Sequence, residues 1–276
     1  MVNRRELDPE SGPGAAFGAR LRRLRDARGW TQEELGERLG CSGSHVSAVE
    51  IGRRSPTRRF AAAVDRVFGT GDQFERQSLA VRQTALLEGF PEYVGHEARA
   101  VEIRIYEVGV IPGLLQTPEY ASAIEDQEVI RGAATPDQAN ERVALVAQRQ
   151  AAILRTPPPL VLVVLDESCL RRPVGGPAVM GPQLDRLVEF AELPNTAVQV
   201  AEFTLAERRP YTLPITVLTL PDRSLMSYAQ SSHRGHLERD GESVVPMLTA
   251  YHQLQVRALA HDASVSMIEN IRKGTK

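Results

Sequence analysis

The sequence predicts a mixed protein, with an all-α module at the N-terminus followed by a larger α/β or α+β body. Two patterns and one charge asymmetry carry that expectation. Within about fifty residues, four short apolar stripes recur at helical spacing, each beside a capping residue. Beyond residue 100, strand-like runs interleave with helical stripes over about 175 residues, enough for a sizeable core. The two parts also differ in sign. Residues 1–70 hold 13 basic residues against 9 acidic ones, whereas residues 71–276 hold 20 against 26. The whole chain of 276 residues is close to neutral, at −2. A basic module that meets a polyanion, joined to an acidic body with another task, fits that split.

Residues 1–14 read as a flexible start. Phe17, Leu21 and Leu24 then form the stripe of a first helix, which Gly29 ends as a C′ residue. Thr31, followed three residues later by Glu34, makes a capping box for a second helix with Leu35 and Leu39 inward and Gly40 at its end. Ser42 caps a third helix whose inner face is Val46 and Val49. Ser55-Pro56 reads as the cap and first residue of a fourth, burying Phe60, Val64, Val67 and Phe68. Short helices joined by a glycine turn make a helix-turn-helix pattern, assigned to residues 15–76. Residues 77–100 read as a helical connector with Leu79, Leu86 and Leu87 inward and Pro91 as an interruption.

The body, residues 101–276, starts with a strand at 101–107, where Val101, Ile103 and Ile105 alternate. Thr117-Pro118 opens a helix. Residues 139–155 are helical until three prolines stop them, and 160–165 is a buried strand. Leu184, Leu187, Val188 and Ala191 mark a further helix. Residues 196–203, 215–220 and 224–229 read as strands, and 242–261 and 264–272 as closing helices. The sheet order is open at this level.

The aliphatic run at 160–165 is six residues, against the ~20 that a bilayer span needs. The polar residues 1–14 contain no signal-peptide core. Cys41 and Cys169 stand far apart, outside any metal-ligand spacing. A cytoplasmic protein without membrane contact, metal or cofactor is the expectation.

The residues Thr31-Gln32-Glu33-Glu34-Leu35, Leu39-Gly40-Cys41-Ser42, Val46-Ser47 and Glu50-x-Gly52-Arg53-Arg54-x-Pro56 closely resemble the DNA-binding domain of the Cro/cI-like (XRE) repressors, a lambda-repressor-like fold. The resemblance implies double-stranded DNA as partner, with the third helix in the major groove. By position it implies that Gln32 and the helix end beside Thr31 meet phosphate, and that Ser42, Ser44, His45 and Ser47 face bases or nearby phosphates. Arg53, Arg54 and Arg58 would clamp the backbone. It further implies a structural ion pair between Arg25 and Glu50, and a homodimer on two half-sites about one helical turn (~34 Å) apart. Position 43 departs from the pattern, because Gly43 has no side chain to read with.

A second resemblance lies in residues 95–272. The segments 111–121, from Ile111-Pro112-Gly113-Leu114-Leu115-Gln116 to Ala121, and 166–176, with Asp166-Glu167 and Arg171-Arg172-Pro173, resemble the C-terminal domain of a group of actinobacterial, antitoxin-like regulators. That implies dimerisation, or engagement of a small partner protein encoded nearby. Tyr106, Gln116, Arg171 and Arg172 are the candidates for such a surface. A core turn built by Pro112, Gly113 and the leucines is the competing reading of the same segment. A small-molecule sensor remains an alternative function for this half, as does, less favourably, a DNA-tethered hydrolase. For catalysis, His233-x-x-His236 lacks a third ligand of recognised spacing, and Cys169 lacks a visible base. No catalytic residue is assigned.

Overall fold

The computed structural model describes residues 12–83, 86, 89–231 and 235–275. The chain divides into two compact units, residues 1–86 with 135–141 and residues 87–134 with 142–276. Most of residues 1–14 and Leu87, His233 and Arg234 therefore lie outside the described residues.

In the first unit the helices are α1 (Pro13–Ala27), α2 (Gln32–Leu39), α3 (Gly43–Glu50), α4 (Arg58–Phe68) and α5 (Gln73–Gln83). Phe17, Leu21, Leu35, Val46, Val49, Phe60 and Val64 supply one apolar core, which Phe74 of α5 joins edge-on to Phe17 at 5.1 Å. Asp65, buried near the end of α4, starts α5. Its carboxylate accepts from the Phe74 and Glu75 amides at 3.0 and 2.8 Å, satisfying donors that a helix start leaves open. α5 thus belongs to this unit, although its residues 77–83 fall where a connector was expected, and Leu79 is 51% exposed instead of inward. The fourth helix also begins later than Ser55-Pro56 suggests. Thr57 Oγ1 accepts from the Phe60 amide at 3.1 Å and is the cap, while Pro56 is buried before it.

The second unit opens with α6 (Phe90–Glu97) and then builds a six-stranded sheet from β1 (Glu102–Glu107), β2 (Leu160–Asp166), β3 (Thr196–Ala201), β4 (Ile215–Thr219), β5 (Leu225–Gln230) and β6 (Gly235–Glu238). The strand order is β3-β2-β1-β4-β5-β6. Pairs β1–β2 and β2–β3 are parallel, and β1–β4, β4–β5 and β5–β6 are antiparallel. The parallel crossovers run through α7 (Pro118–Ile130) and α8 (Pro136–Ile153), then through α9 (Glu167–Arg171) and α10 (Pro177–Ala191). Two helices, α11 (Gly241–Arg257) and α12 (His261–Gly274), end the chain. Strand alternation sorts the core into two layers. Ile103, Ile105, Val161, Val163 and Leu165 face α10 and α12, whereas Tyr106, Val164 and Val217 pack with Tyr251 and Leu254 of α11. β6 went unread in the sequence, where residues 231–236 resemble a polar loop.

The outer edge of β3 is closed by the α11–α12 link. Val200 N donates to Ser264 Oγ at 3.0 Å and Val200 O accepts from Leu259 N at 2.9 Å, so this edge offers no free ladder there. The segment from Ile111 to Tyr120 is satisfied just as completely from inside. Gln116 Nε2 donates to Ile111 O at 2.7 Å, and Gln150 Nε2 donates to Gly113 O and Gln116 O at 2.8 Å each. Gln183 accepts from Thr117 N at 2.7 Å and donates to Leu115 O at 2.8 Å. The core-turn reading of this segment is the one its hydrogen bonds fit.

Gln183 is fully buried, so Gln183→Leu would strand one buried donor and one buried acceptor. At ~1–3 kcal/mol for each stranded group, the expected loss is on the order of 2–5 kcal/mol in urea unfolding of the second unit. An unchanged midpoint would show that this clamp contributes nothing.

Candidate functional site

The helix-turn-helix is assembled by local signals that the sequence displays. Thr31 N donates to Glu34 Oε2 at 2.7 Å, and Glu34 N donates to Thr31 Oγ1 at 3.1 Å, so the capping box at α2 is complete. The bond from Thr31 N and a second one from Thr31 Oγ1 at 3.1 Å, the backbone one first, hold the Glu34 carboxyl below its ordinary pKa. Gly40 ends α2 at φ 72°, a conformation that costs a glycine little. Ser42 Oγ then accepts from the His45 amide at 3.2 Å and caps α3.

A carboxylate fixes the angle between α2 and α3. Glu50 is 0% exposed and takes Arg25 Nε and Nη2 at 2.6 and 3.1 Å. Its Oε2 also accepts from Gln32 Nε2 at 2.8 Å. Arg22 Nε approaches to 3.7 Å, a third partner residue that the sequence reading missed although Arg22 lies one helical turn before Arg25. Arg25 is finished by a bond to the Trp30 carbonyl at 2.8 Å. The Glu50 carboxylate accordingly holds α1, α2 and α3 at once.

The implied DNA-facing residues fall into two groups. Thr31, Ser42, Ser44, Arg53, Arg54 and Arg58 are exposed, and Gln32, His45 and Ser47 are half-buried. Gln32 is tethered to Glu50 by one of its two amide N–H groups, which leaves the second for a phosphate oxygen. Ser44 Oγ shares a hydrogen bond with Ser42 Oγ at 3.0 Å. His45 stacks on Phe60, with centroids 5.2 Å apart, and its Nε2 is buried without a hydrogen bond. Burial pushes its imidazole below the ordinary pKa, and the Arg54 charge adds to this. Arg58 Nε pairs with Glu75 at 2.6 Å and Arg54 Nε with Asp137 at 3.5 Å, within the same compact unit. Both retain free guanidinium N–H groups for phosphate.

The glycine at position 43 has a steric reason. A Cβ there would lie 2.9 Å from the backbone nitrogen of Glu33 and closer still to the Glu33 carboxylate. The first residue of α3 is thus interior to the turn, with no room for a reading side chain.

In the second unit the candidates separate. Tyr106 is 0% exposed, its hydroxyl buried beside Arg209, and half-buried Gln116 spends its amide on Ile111 O. These two are withdrawn from a partner surface by burial and by internal bonding. Arg171 and Arg172 are exposed. The polar groups after β2 have structural tasks. Asp166 accepts from Ser168 N at 3.0 Å, capping α9, and pairs with Arg209 Nη1. Glu167 accepts from Phe203 N at 2.9 Å and from Arg171 Nε at 2.5 Å. Cys169 is fully buried and donates to Glu107 O at 3.4 Å. Burial, with Glu107 and Asp166 nearby, drives its thiol far above the ordinary pKa, the opposite of an activated nucleophile. His236 lies on β6, and among the described residues no three metal-ligating side chains converge. No described helix is long and apolar enough to cross a membrane.

Capped α2 and α3 locked by a buried ion pair, with exposed arginines after α3, define a helix-turn-helix DNA-binding regulator. A family model described as a helix-turn-helix domain matches residues 16–79. The chain belongs to the family described as a domain of unknown function (DUF5753), whose model matches residues 90–270. No curated protein and no solved structure matches the chain.

Glu50→Gln removes the buried counter-charge of Arg25, leaving it only partly exposed Asp26 at 2.8 Å, and is expected to cost about 3 kcal/mol. Fluorescence of the single tryptophan, Trp30, reads this unit alone, and a loss below ~1 kcal/mol would contradict the role given to Glu50. A pH test concerns Glu107, whose carboxyl burial pushes up to about 7 from 4.5. A raised folded-state pKa favours the fold below the unfolded pKa and loses that contribution as pH climbs through the folded value. Stability of the second unit should fall between about pH 4.5 and pH 7, and Glu107→Gln should flatten the fall. Parallel pH profiles for the two proteins would refute it.

Proposed function

We propose that the protein is a sequence-specific transcriptional regulator, a non-catalytic homodimer acting in the cytoplasm on nucleoid DNA. The observation that carries this reading is the Glu50 lock, which sets α2 and α3 at a fixed angle and presents Gln32 beside the recognition helix. Phosphate is met by Gln32, the α2 start and the arginines at 53, 54 and 58. Base contacts fall to Ser44 and Ser47, with DNA shape contributing where side chains are short. A recognition helix of eight residues with so few reading groups covers too little sequence by itself, which favours two half-sites and hence a dimer. The second unit supplies dimerisation or a docking face for a small partner protein, and exposed Arg171 and Arg172 are its remaining candidates.

A DNA-binding titration across salt concentrations tests the reading. The promoter of the protein's own gene should bind well above scrambled DNA. Replacing Arg53 and Arg54 together by alanine should lower affinity and make the log K against log salt slope shallower by about 2, one unit for each lost phosphate contact. Equal, weak binding to both DNAs would sink the proposal.

A further inference from the structure

In the second unit an open cleft of about 930 Å³ lies between α9, α10 and α12. Its place in the fold is informative. Arg171 comes from the helix directly after β2 and Glu202 directly follows β3, so the cleft opens beyond the carboxyl ends of two adjacent parallel strands. Open α/β sheets bind ligands at that end, and the volume is within the ~300–1,000 Å³ of small-molecule sites. The walls are aliphatic and thioether surface from Met180, Leu259, Met267 and Ile271. Flexible methionine side chains adapt to apolar bodies of varied outline.

The polar part of the lining is unbalanced in charge. Arg171 Nε pairs with Glu167 at 2.5 Å, and neighbouring Arg272 Nε pairs with Asp185 at 2.9 Å. Half-buried Glu202, by contrast, has a carboxylate with no hydrogen bond or ion pair from any described residue, and the Ser266 hydroxyl and Asn270 amide beside the cleft are likewise unengaged. Phe203 N, bonded to Glu167 Oε2 at 2.9 Å, fixes the backbone that carries Glu202. An open cleft with an apolar wall on one part, and on the other a carboxylate without a protein partner beside neutral hydrogen-bonding groups, complements an amphipathic molecule carrying a cationic head. An anionic head would meet Glu202 unfavourably, and a neutral one would gain no ion pair there. We propose that this cleft binds a small amphipathic primary amine, its ammonium on Glu202 and its apolar body against Met180 and Met267. The proposal does not rest on DNA binding, so either reading can fail without the other.

Isothermal titration calorimetry of the full chain at pH 7.5 with hexylamine, hexanol and hexanoate tests it. Hexylamine is expected to bind at one site per chain, at least ten-fold more tightly than hexanol, with hexanoate weakest. Glu202→Gln should abolish the advantage of the amine while leaving hexanol binding unchanged, since the apolar walls stay intact. Ala263→Phe should fill the cleft and remove binding of all three, with circular dichroism verifying that both variants fold. No heat from hexylamine at millimolar concentration, equal affinity for amine and alcohol, or an amine preference that survives Glu202→Gln would each overturn the proposal.

Discussion

The DNA-binding half is organised around one charge removed from water. Leaving the Glu50 carboxylate alone in the core would be prohibitive, so it must be neutralised and hydrogen-bonded on both oxygens. Arg25 from α1 and Gln32 from α2 do this, and in doing so they bring three helices to one point. Apolar packing alone tolerates sliding, because Leu and Val contacts are non-directional. A bidentate guanidinium–carboxylate pair does not slide. The angle at which α3 is offered is set by hydrogen-bond geometry, and the hydrophobic core beneath supplies the bulk of the cohesion.

The second unit solves a different problem. Its backbone between β1 and α7 leaves regular structure while remaining mostly buried, so its carbonyl and amide groups need partners from elsewhere. Three glutamines, Gln116, Gln150 and Gln183, provide them. Glutamine suits the task because one side chain both donates and accepts, which lets Gln183 serve Thr117 N and Leu115 O together. The motif Ile-Pro-Gly-Leu-Leu-Gln-Thr-Pro is therefore explained by folding, whatever else it contributes.

Local features were legible in the sequence and long-range ones were not. The capping box of Thr31 and Glu34, the Ser42 cap and the glycine at 40 are interactions among residues three or four apart, and the chain advertises them directly. The mixed fold class followed from periodicity in the same way. The order β3-β2-β1-β4-β5-β6 could not follow, because nothing in a strand's alternation names its neighbour. β6 was missed because its four residues include a glycine and two polar side chains, a pattern that reads as a turn until a paired strand supplies the context. Thr57 outranked Ser55-Pro56 as a cap for a tertiary reason, since Pro56 is buried. In the DNA-facing set the sequence supplied the residue types. Only the folded structure shows that His45 leans on Phe60, that Tyr106 is inside, and that Glu202 lines a cleft.

The tight seat of Gly43 against Glu33 bears on how such a regulator can change over generations. A side chain at the first position of α3 would collide with main chain, so one of the usual reading positions is closed to point mutation. On the proposed reading, new operator preferences are then reachable through the exposed Ser44, the half-buried Ser47, or substitutions among the arginines at 53, 54 and 58 that alter the DNA shapes tolerated. Under that proposal, a lineage built on this turn would drift mainly in its sensitivity to groove geometry, and would acquire a new letter-by-letter code through Ser44 and Ser47.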